Sequence, residues 1–346
     1  MGNSSKSIKL LLLIFIINIL LFAANLIFGS VSVPFTDVWK ALFSQDGETL
    51  NTYQAIILEY RLPQTFTALL TGAALSVAGL LLQTLFRNPL AGPGILGISA
   101  GASLGVAILT LLTGAASFAL SSFVINFGLV FAAFTGAFIT LSLVLVFASF
   151  VKNNISLLII GIMVGYAVSS LIGFLQFLGN QQDVHSFVLW GLGSFSQVNS
   201  EQLPFYSTVI IIGVILSLLF IKPLNALLLG ENYAANLGIH VKRVRVGLIV
   251  LAGLLTAIAT AYTGPIAFIG LAVPHLTRMI FHTSEHKILL PGLILNGMAI
   301  AMACNFISRL PLFDQAIPIN IVTSAFGAPL VIWFLVRNNR MNLNAS

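Results

Sequence analysis

His275, His282 and His286 come nearest in this sequence to a reactive cluster, because steps of seven and then four place them on one face of a helix. Imidazoles so spaced suggest zinc. Zinc chemistry, however, asks for three protein ligands, an activated water and a general base. No carboxylate pairs with these histidines in the sequence, and Pro274 immediately precedes the first. No metal centre is therefore read here: His275 is expected to pack or hydrogen-bond at a helix break, and His282 and His286 to be loop residues. The chain also lacks any G-x-x-x-x-G-K-[ST] segment, so it has no P-loop to cradle nucleotide phosphates. No catalytic residue is assigned, no cofactor is expected on this chain, and any work driven by ATP and Mg falls to a separate subunit.

Composition says where such a chain resides. Of its 346 residues 58% are hydrophobic and only 7% charged, with a mean hydropathy of +1.05. Soluble domains average about 25% charged residues, so a polytopic membrane protein is indicated. The single cysteine, Cys304, forms no intrachain disulfide. A net charge of +6 raises nucleic acid as a partner, but the basic residues punctuate apolar runs rather than forming a stripe. Nucleic-acid binding is set aside.

The apolar runs divide into about ten spans, each near the ~20 residues that cross a bilayer core. They are approximately 10–28, 62–86, 95–113, 123–150, 156–178, 204–221, 246–263, 266–281, 288–308 and 318–336. The first, behind Lys6 and Lys9, has the features of a signal peptide. It is long for one and lacks a clear cleavage site, so a retained helix is favoured. Residues 29–60 read as an external loop, and 180–201 as a loop carrying a short surface helix. With both termini cytoplasmic, all of the fifteen Lys and Arg residues except Lys40, Arg61 and Arg309 fall inside, as orientation by basic residues requires. The whole chain, 1–346, is one transmembrane domain.

Two kinds of irregular segment interrupt these spans. Asn88, Pro89, Gly92 and Pro93 cannot lie in one uninterrupted helix, because each proline removes an N–H and crowds the preceding turn. The segment is either an interfacial turn or a broken helix lining a substrate path or partner surface. Gly264-Pro265 with Gly270 loosely echoes Gly92-Pro93 with Gly97, and Pro274-His275 is read as a further helix break. The second kind lies in the region 225–245, where Gly230 and Glu231 open a short helix to Leu237 and Gly238 closes it in a left-handed cap. Small Ala234 and Ala235 on this helix permit close approach of a partner. The G-x-x-x-G spacings Gly101–Gly105 and Gly161–Gly165 suit tight helix packing.

Four ordered stretches carry a resemblance: RLPQ with the run GAALSVAGLLLQTLFRNPLAGPGILGISAGASLG after it, KPLNALLLGENYAANLGI, GPIAFIGLAVPHLTR and IPINIVTSAFGAPL. Together they resemble the signature of FecCD-type permeases, the membrane subunits of bacterial ABC importers for iron-siderophores, haem and cobalamin. The match covers nearly the whole chain. It implies an all-α multi-pass protein of the cytoplasmic (inner) membrane, surrounded by lipid. Its partners would be a second permease copy in a homodimer, two ATPase subunits and an extracytoplasmic substrate-binding protein. The helix around Gly230, Glu231, Ala234, Ala235, Leu237 and Gly238 would be the coupling helix seated in the ATPase. Arg61 and Arg309 would meet acidic residues of the binding protein, headgroup anchoring being the other reading. Asn153, Asn154 and Ser156 correspond roughly to a cytoplasmic gate, or form a simple polar turn.

The chain departs from the family pattern at Gln64, where a second arginine is usual, and at Asn305, Ala316 and Asn320, where Asp, Glu and Gly are usual. These departures put the external docking network in doubt and leave the span pattern alone. An iron-siderophore is the expected substrate, with haem or cobalamin as alternatives, because the motifs are shared among all three. A secondary transporter would need an intramembrane acid, and none of the acids falls inside an expected span.

Overall fold

A computed structural model describes residues 2–29, 31, 33–43, 51–112, 122–151, 153–310 and 316–343. The expected turn at 114–122, apart from Ser122, lies outside the described residues, as do Lys152, Asp46, Glu48 and Asp314. No strand occurs among those described. In chain order the α-helices are α1 (Gly2–Ile27), α2 (Phe35–Phe43), α3 (Thr52–Ala55), α4 (Leu62–Phe86), α5 (Ile98–Ala107), α6 (Ser122–Phe150), α7 (Asn154–Leu178) and α8 (Gln181–Gly191). They continue with α9 (Leu203–Leu218), α10 (Ile221–Leu229), α11 (Glu231–Asn236), α12 (Val241–Thr263), α13 (Ile269–Phe281), α14 (His286–Ser308) and α15 (Ile319–Leu343).

Among the described residues six helical stretches are long and apolar enough to cross a membrane: 6–27, 52–86, 127–150, 154–178, 241–263 and 286–308. Helices α9 and α10, bent by 51°, pass together, and shorter apolar helices cover 98–112, 269–281 and 319–333. These last fall on the third, eighth and tenth expected spans. The first two are shortened by the irregular segments at their starts, since the turn Pro93–Leu96 precedes α5 and non-helical backbone joins α12 to α13, while α15 itself runs on to Leu343. The expected external loop 29–60 is not simply a loop. It carries α2 and α3, and a π-helical stretch, Ile56–Arg61, runs straight into α4. Likewise α12 begins at Val241 rather than at 246, so Lys242, Arg243 and Arg245 ride on its first turns.

Helix α4 is the axis of the molecule. Nine-tenths of its stretch is buried, against under a quarter for α1 and α7, and a helix apolar all round has to be enclosed in this way. Small side chains let its neighbours approach to backbone distance. A Cβ added at Gly79 would stand 1.7 Å from the Gly270 carbonyl oxygen of α13, and one at Gly72 would stand 2.2 Å from that of Gly297 in α14. Helix association inside lipid relies on such packing, because lipid tails leave little hydrophobic drive between helices. The same device joins α5 to α6 through Gly101 and Gly136, while Gly161 and Gly165 of α7 sit against the 95–97 backbone.

Gly79→Ala is expected to overpack this seam and to cost about 1–3 kcal/mol, seen as a lower unfolding midpoint of the purified chain in detergent. Gly173, with open space around its Cβ position, is the control, and Gly173→Ala should be neutral or mildly stabilising.

Candidate functional site

The two outward arginines converge on the end of α1. Arg61 is buried, and its guanidinium donates to the carbonyls of Leu26 (2.7 Å), Ile27 (2.8 Å) and Val31. Arg309, half-buried at the end of α14, donates to Asn25 O at 3.3 Å. The last carbonyls of a helix lack intrahelical partners and stand at the negative end of its dipole, so among the described residues it is these carbonyls that hold the two cations. Gly29 leaves them room, since a Cβ there would lie 2.8 Å from Arg309 Nη2 and 3.2 Å from Arg61 Nη2. Burial, and then the neighbouring Arg61, pushes Arg309 down to about 10, so it stays cationic at neutral pH. Arg61 is thus not the free surface cation that its sequence position suggests. Its donors face backbone.

The departures Gln64, Asn305 and Ala316 line one small cavity nearby, of about 180 Å³. Gln64 Nε2 donates to Asn305 Oδ1 at 3.0 Å, and Asn305 Nδ2 donates to Asn25 Oδ1 at 2.9 Å. Neutral amides therefore bond one another where charged residues would be usual. Asn320, the fourth departure, clamps the segment after α12: its amide donates to Pro265 O (2.6 Å) and Gly191 O (3.2 Å) and accepts from Ala267 N–H (2.9 Å). Gly92, Pro93, Pro265 and Asn320 share a second cavity of about 390 Å³, which places the two irregular segments side by side.

At the far end of α4 the other candidates gather. Arg87 caps α4 in the left-handed region (φ 49°), Asn88 N–H donates to Gln83 O at 3.1 Å, and Asn88 Oδ1 accepts from Leu90 N–H. Asn153 is the N-cap of α7, its side chain accepting from Ile155 N–H at 2.9 Å, and Ser156 is half-buried in the first turn. Helix α11 follows Gly230, whose φ of 120° is open chiefly to glycine, and ends before Gly238 at φ 82°. Asn88, Pro89, Asn153, Asn154, Gly230 and Glu231 all line one cavity of about 1100 Å³. Residues read separately as a break, a gate and a coupling helix are thus brought together. One correction concerns Ala234, which is fully buried and seats α11 on the protein, so of the two alanines Ala235 alone faces outward, on a face shared with Tyr233 and Leu237.

The histidines are structural joints. Pro274 does not break α13: it stands in the second turn, where it removes a single N–H, and the helix continues to Phe281. His275, expected at a break, is buried within that helix and pairs through Nε2 with Pro89 O at 2.7 Å. His286 is no loop residue. It is buried in the first turn of α14, with Nε2 3.1 Å from Thr84 Oγ1 and Nδ1 2.7 Å from Asn225 Oδ1, and so ties α14 to α4 and α10. His282 is the exposed left-handed cap of α13. Among the described residues no three His, Cys, Asp or Glu side chains are grouped to hold a metal ion.

Other joints escaped sequence reading. Asn18 and Asn25 of α1 donate to Leu295 O (3.1 Å) and Met302 O (3.1 Å) of α14, two rungs seven residues apart on both helices. That spacing was visible in the sequence within an otherwise apolar run. Arg278 donates to Gln83 Oε1 at 2.8 Å while Gln83 Nε2 donates to Leu271 O at 3.2 Å, which fastens α13 to the last turn of α4.

Comparison with known proteins gives a consistent pattern. A model of the FecCD transport family matches residues 13–337. The chain is 33% identical over 327 residues to the hemin transport system permease protein HmuU of Yersinia pestis, covering 94% of each chain. It is 34% identical over 291 residues to the vitamin B12 import system permease protein BtuC of Salmonella paratyphi A, covering 83% of this chain and 85% of that one. Among solved structures, an inward-facing ABC transporter assigned to the metal-chelate type superposes with a TM-score of 0.82 at 31% identity, over 95% of this chain and 99% of the other.

Arg61→Ala should strand three buried or half-buried carbonyls and cost about 3 kcal/mol of stability. The measurement is the unfolding midpoint in detergent, with Arg61→Lys recovering only part because an ammonium lacks the planar fork.

Proposed function

The chain belongs to the FecCD transport family, and on that premise we propose that it passes an iron chelate into the cytoplasm as one half of a homodimer served by two ATPase subunits. The coarser part of this reading is common to the family and its relatives: a multi-pass inner-membrane permease subunit of an ABC importer of the metal-chelate, haem and B12 type. The observation that supports coupling to the ATPases is the cavity beside α11. It joins a short helix with an exposed outer face to the turn between α6 and α7 and to the break after α4.

In this mechanism the outer face of α11, with Tyr233, Ala235 and Leu237, sits in a groove of the ATPase, and Ala234 anchors the helix from within. ATP-driven closure of the ATPases pushes α11, and the push reaches the turn at 153–156, which opens or shuts the inner mouth of the path. An extracytoplasmic binding protein delivers the chelate at the opposite end, near Arg309 and the neutral Gln64–Asn305 pair. With Arg61 buried and the neighbouring departures uncharged, docking there relies less on acid–arginine pairing than the family pattern implies. A siderophore and haem are the two iron chelates in view, haem being the cargo named for HmuU, and cobalamin, named for BtuC, is the alternative.

Proteoliposomes containing the chain with its ATPases and binding protein test this directly. ATP-dependent accumulation of ferric desferrioxamine or haem is expected. Accumulation of cyanocobalamin instead would move the substrate, and uptake that persists without the ATPases would refute the mechanism. Combining Ala235→Arg with Leu237→Asp, both on the exposed face, should lower ATP-driven uptake by at least about tenfold while the chain inserts normally.

A further inference from the structure

The turn between α6 and α7 is gripped at both ends by one ion pair. Arg245 of α12 donates to the Glu231 carboxylate of α11 through Nη2, 3.1 Å from Oε1 and 3.3 Å from Oε2, and this is the one ion pair among the described residues. The arginine also reaches back through Nη1 to Val151 O, at 3.4 Å, at the start of the turn. The carboxylate reaches forward: Oε1 accepts from Asn154 Nδ2 at 2.6 Å, at the end of the turn. The same Asn154 nitrogen donates to Leu85 O, 2.9 Å away in the last turn of α4. Because both of its partners are pure acceptors, the nitrogen must be the atom between them.

Burial makes this linkage stronger than a surface pair. The Arg245 side chain is 9% exposed and that of Glu231 34%, and a partly desolvated, hydrogen-bonded pair is screened far less than one in water. The Asn154 Oδ1 atom is buried and accepts no hydrogen bond.

We propose that Glu231 is a positioning residue that fastens α11 to the 151–154 turn, so that the two move as one body when a partner displaces α11. This rests on the reading that α11 meets an ATPase, and it adds the specific link by which that motion reaches the turn. Direct backbone contact between α11 and the turn is not needed: the carboxylate and the Asn154 amide supply the connection, and Arg245 supplies its second arm.

The test uses the complete complex with its ATPases and binding protein in proteoliposomes, reading ATP hydrolysis and uptake of ferric desferrioxamine, haem or cyanocobalamin, whichever the wild type carries. Glu231→Ala and Asn154→Ala are expected to keep ATP hydrolysis and to lower uptake per ATP by about tenfold. Glu231→Gln, which keeps an acceptor for Asn154 and the side-chain shape, should fall between them and wild type, and it guards against a folding defect. In a Cys304→Ala background, Asn154→Cys with Glu231→Cys should be uncoupled when reduced and regain uptake when joined by a short bis-methanethiosulfonate linker. A merely structural contact gives no such rescue. Wild-type coupling in Glu231→Ala and Glu231→Gln, or a linker that blocks uptake, would overturn the link alone. Absence of any ATP-dependent uptake by the wild-type complex would overturn the parent reading.

Discussion

Backbone contact along α4 is the constraint on which the remaining structure depends. Two glycines seven residues apart, Gly72 and Gly79, let α14 and α13 lie directly on it, and the other helices are arranged around this triplet. In lipid the gain from bringing helices together is chiefly packing and hydrogen bonding, so a seam without Cβ atoms is worth more than an equally apolar one with leucines. The geometry also places the two functional ends. Arg61 lies at one terminus of α4, in the cluster over the end of α1, and Leu85 and Arg87 lie at the other, beside the turn and α11. A rigid α4 therefore fixes how far apart the two ends sit, and whatever moves must move around it.

The charges obey the same economy of position. Along the spans and at their ends, polar side chains bond carbonyls of neighbouring helices: Asn25 to Met302 O, Gln83 to Leu271 O, and Asn18 to Leu295 O. Among the described residues, the Arg61–Arg309 pair is met by the carbonyl end of a helix, which favours the charged form and keeps it in place. At the opposite end a true ion pair is used. There the carboxylate of Glu231 comes from a six-residue helix that is otherwise seated through buried Ala234.

Much of the fold was legible, for reasons of length and polarity. Apolar runs near twenty residues, bounded by Lys and Arg, predict helices such as α7, α12 and α14 with ends displaced by only a few residues. Gly230 and Gly238 predicted the limits of α11, because positive-φ glycines punctuate backbone locally. What depends on tertiary contact was not legible. Pro274 reads as a break, yet in the second helical turn it forfeits one bond and α13 continues. Arg61 reads as outward, because a sequence shows that a cation sits at a span end but not that the carbonyls of α1 wait beside it. Ala234 and Ala235 look equivalent, but one is buried and the other exposed. The convergence of the gate, break and coupling residues on one cavity is likewise a product of packing between segments far apart in the chain.

The asparagine rungs between α1 and α14 bear on biogenesis. Each joins residues 277 apart in the chain, so α1 is made and threaded into the bilayer long before its partner leaves the ribosome. At ~5–20 residues per second the wait is on the order of tens of seconds. Through it the Asn18 and Asn25 amides keep only their bonds to carbonyls of their own helix, Ile14 O and Leu21 O. The first helix is thus an early resident that becomes locked only when nearly the last one arrives, and a nascent chain stopped short of α14 would hold it loosely.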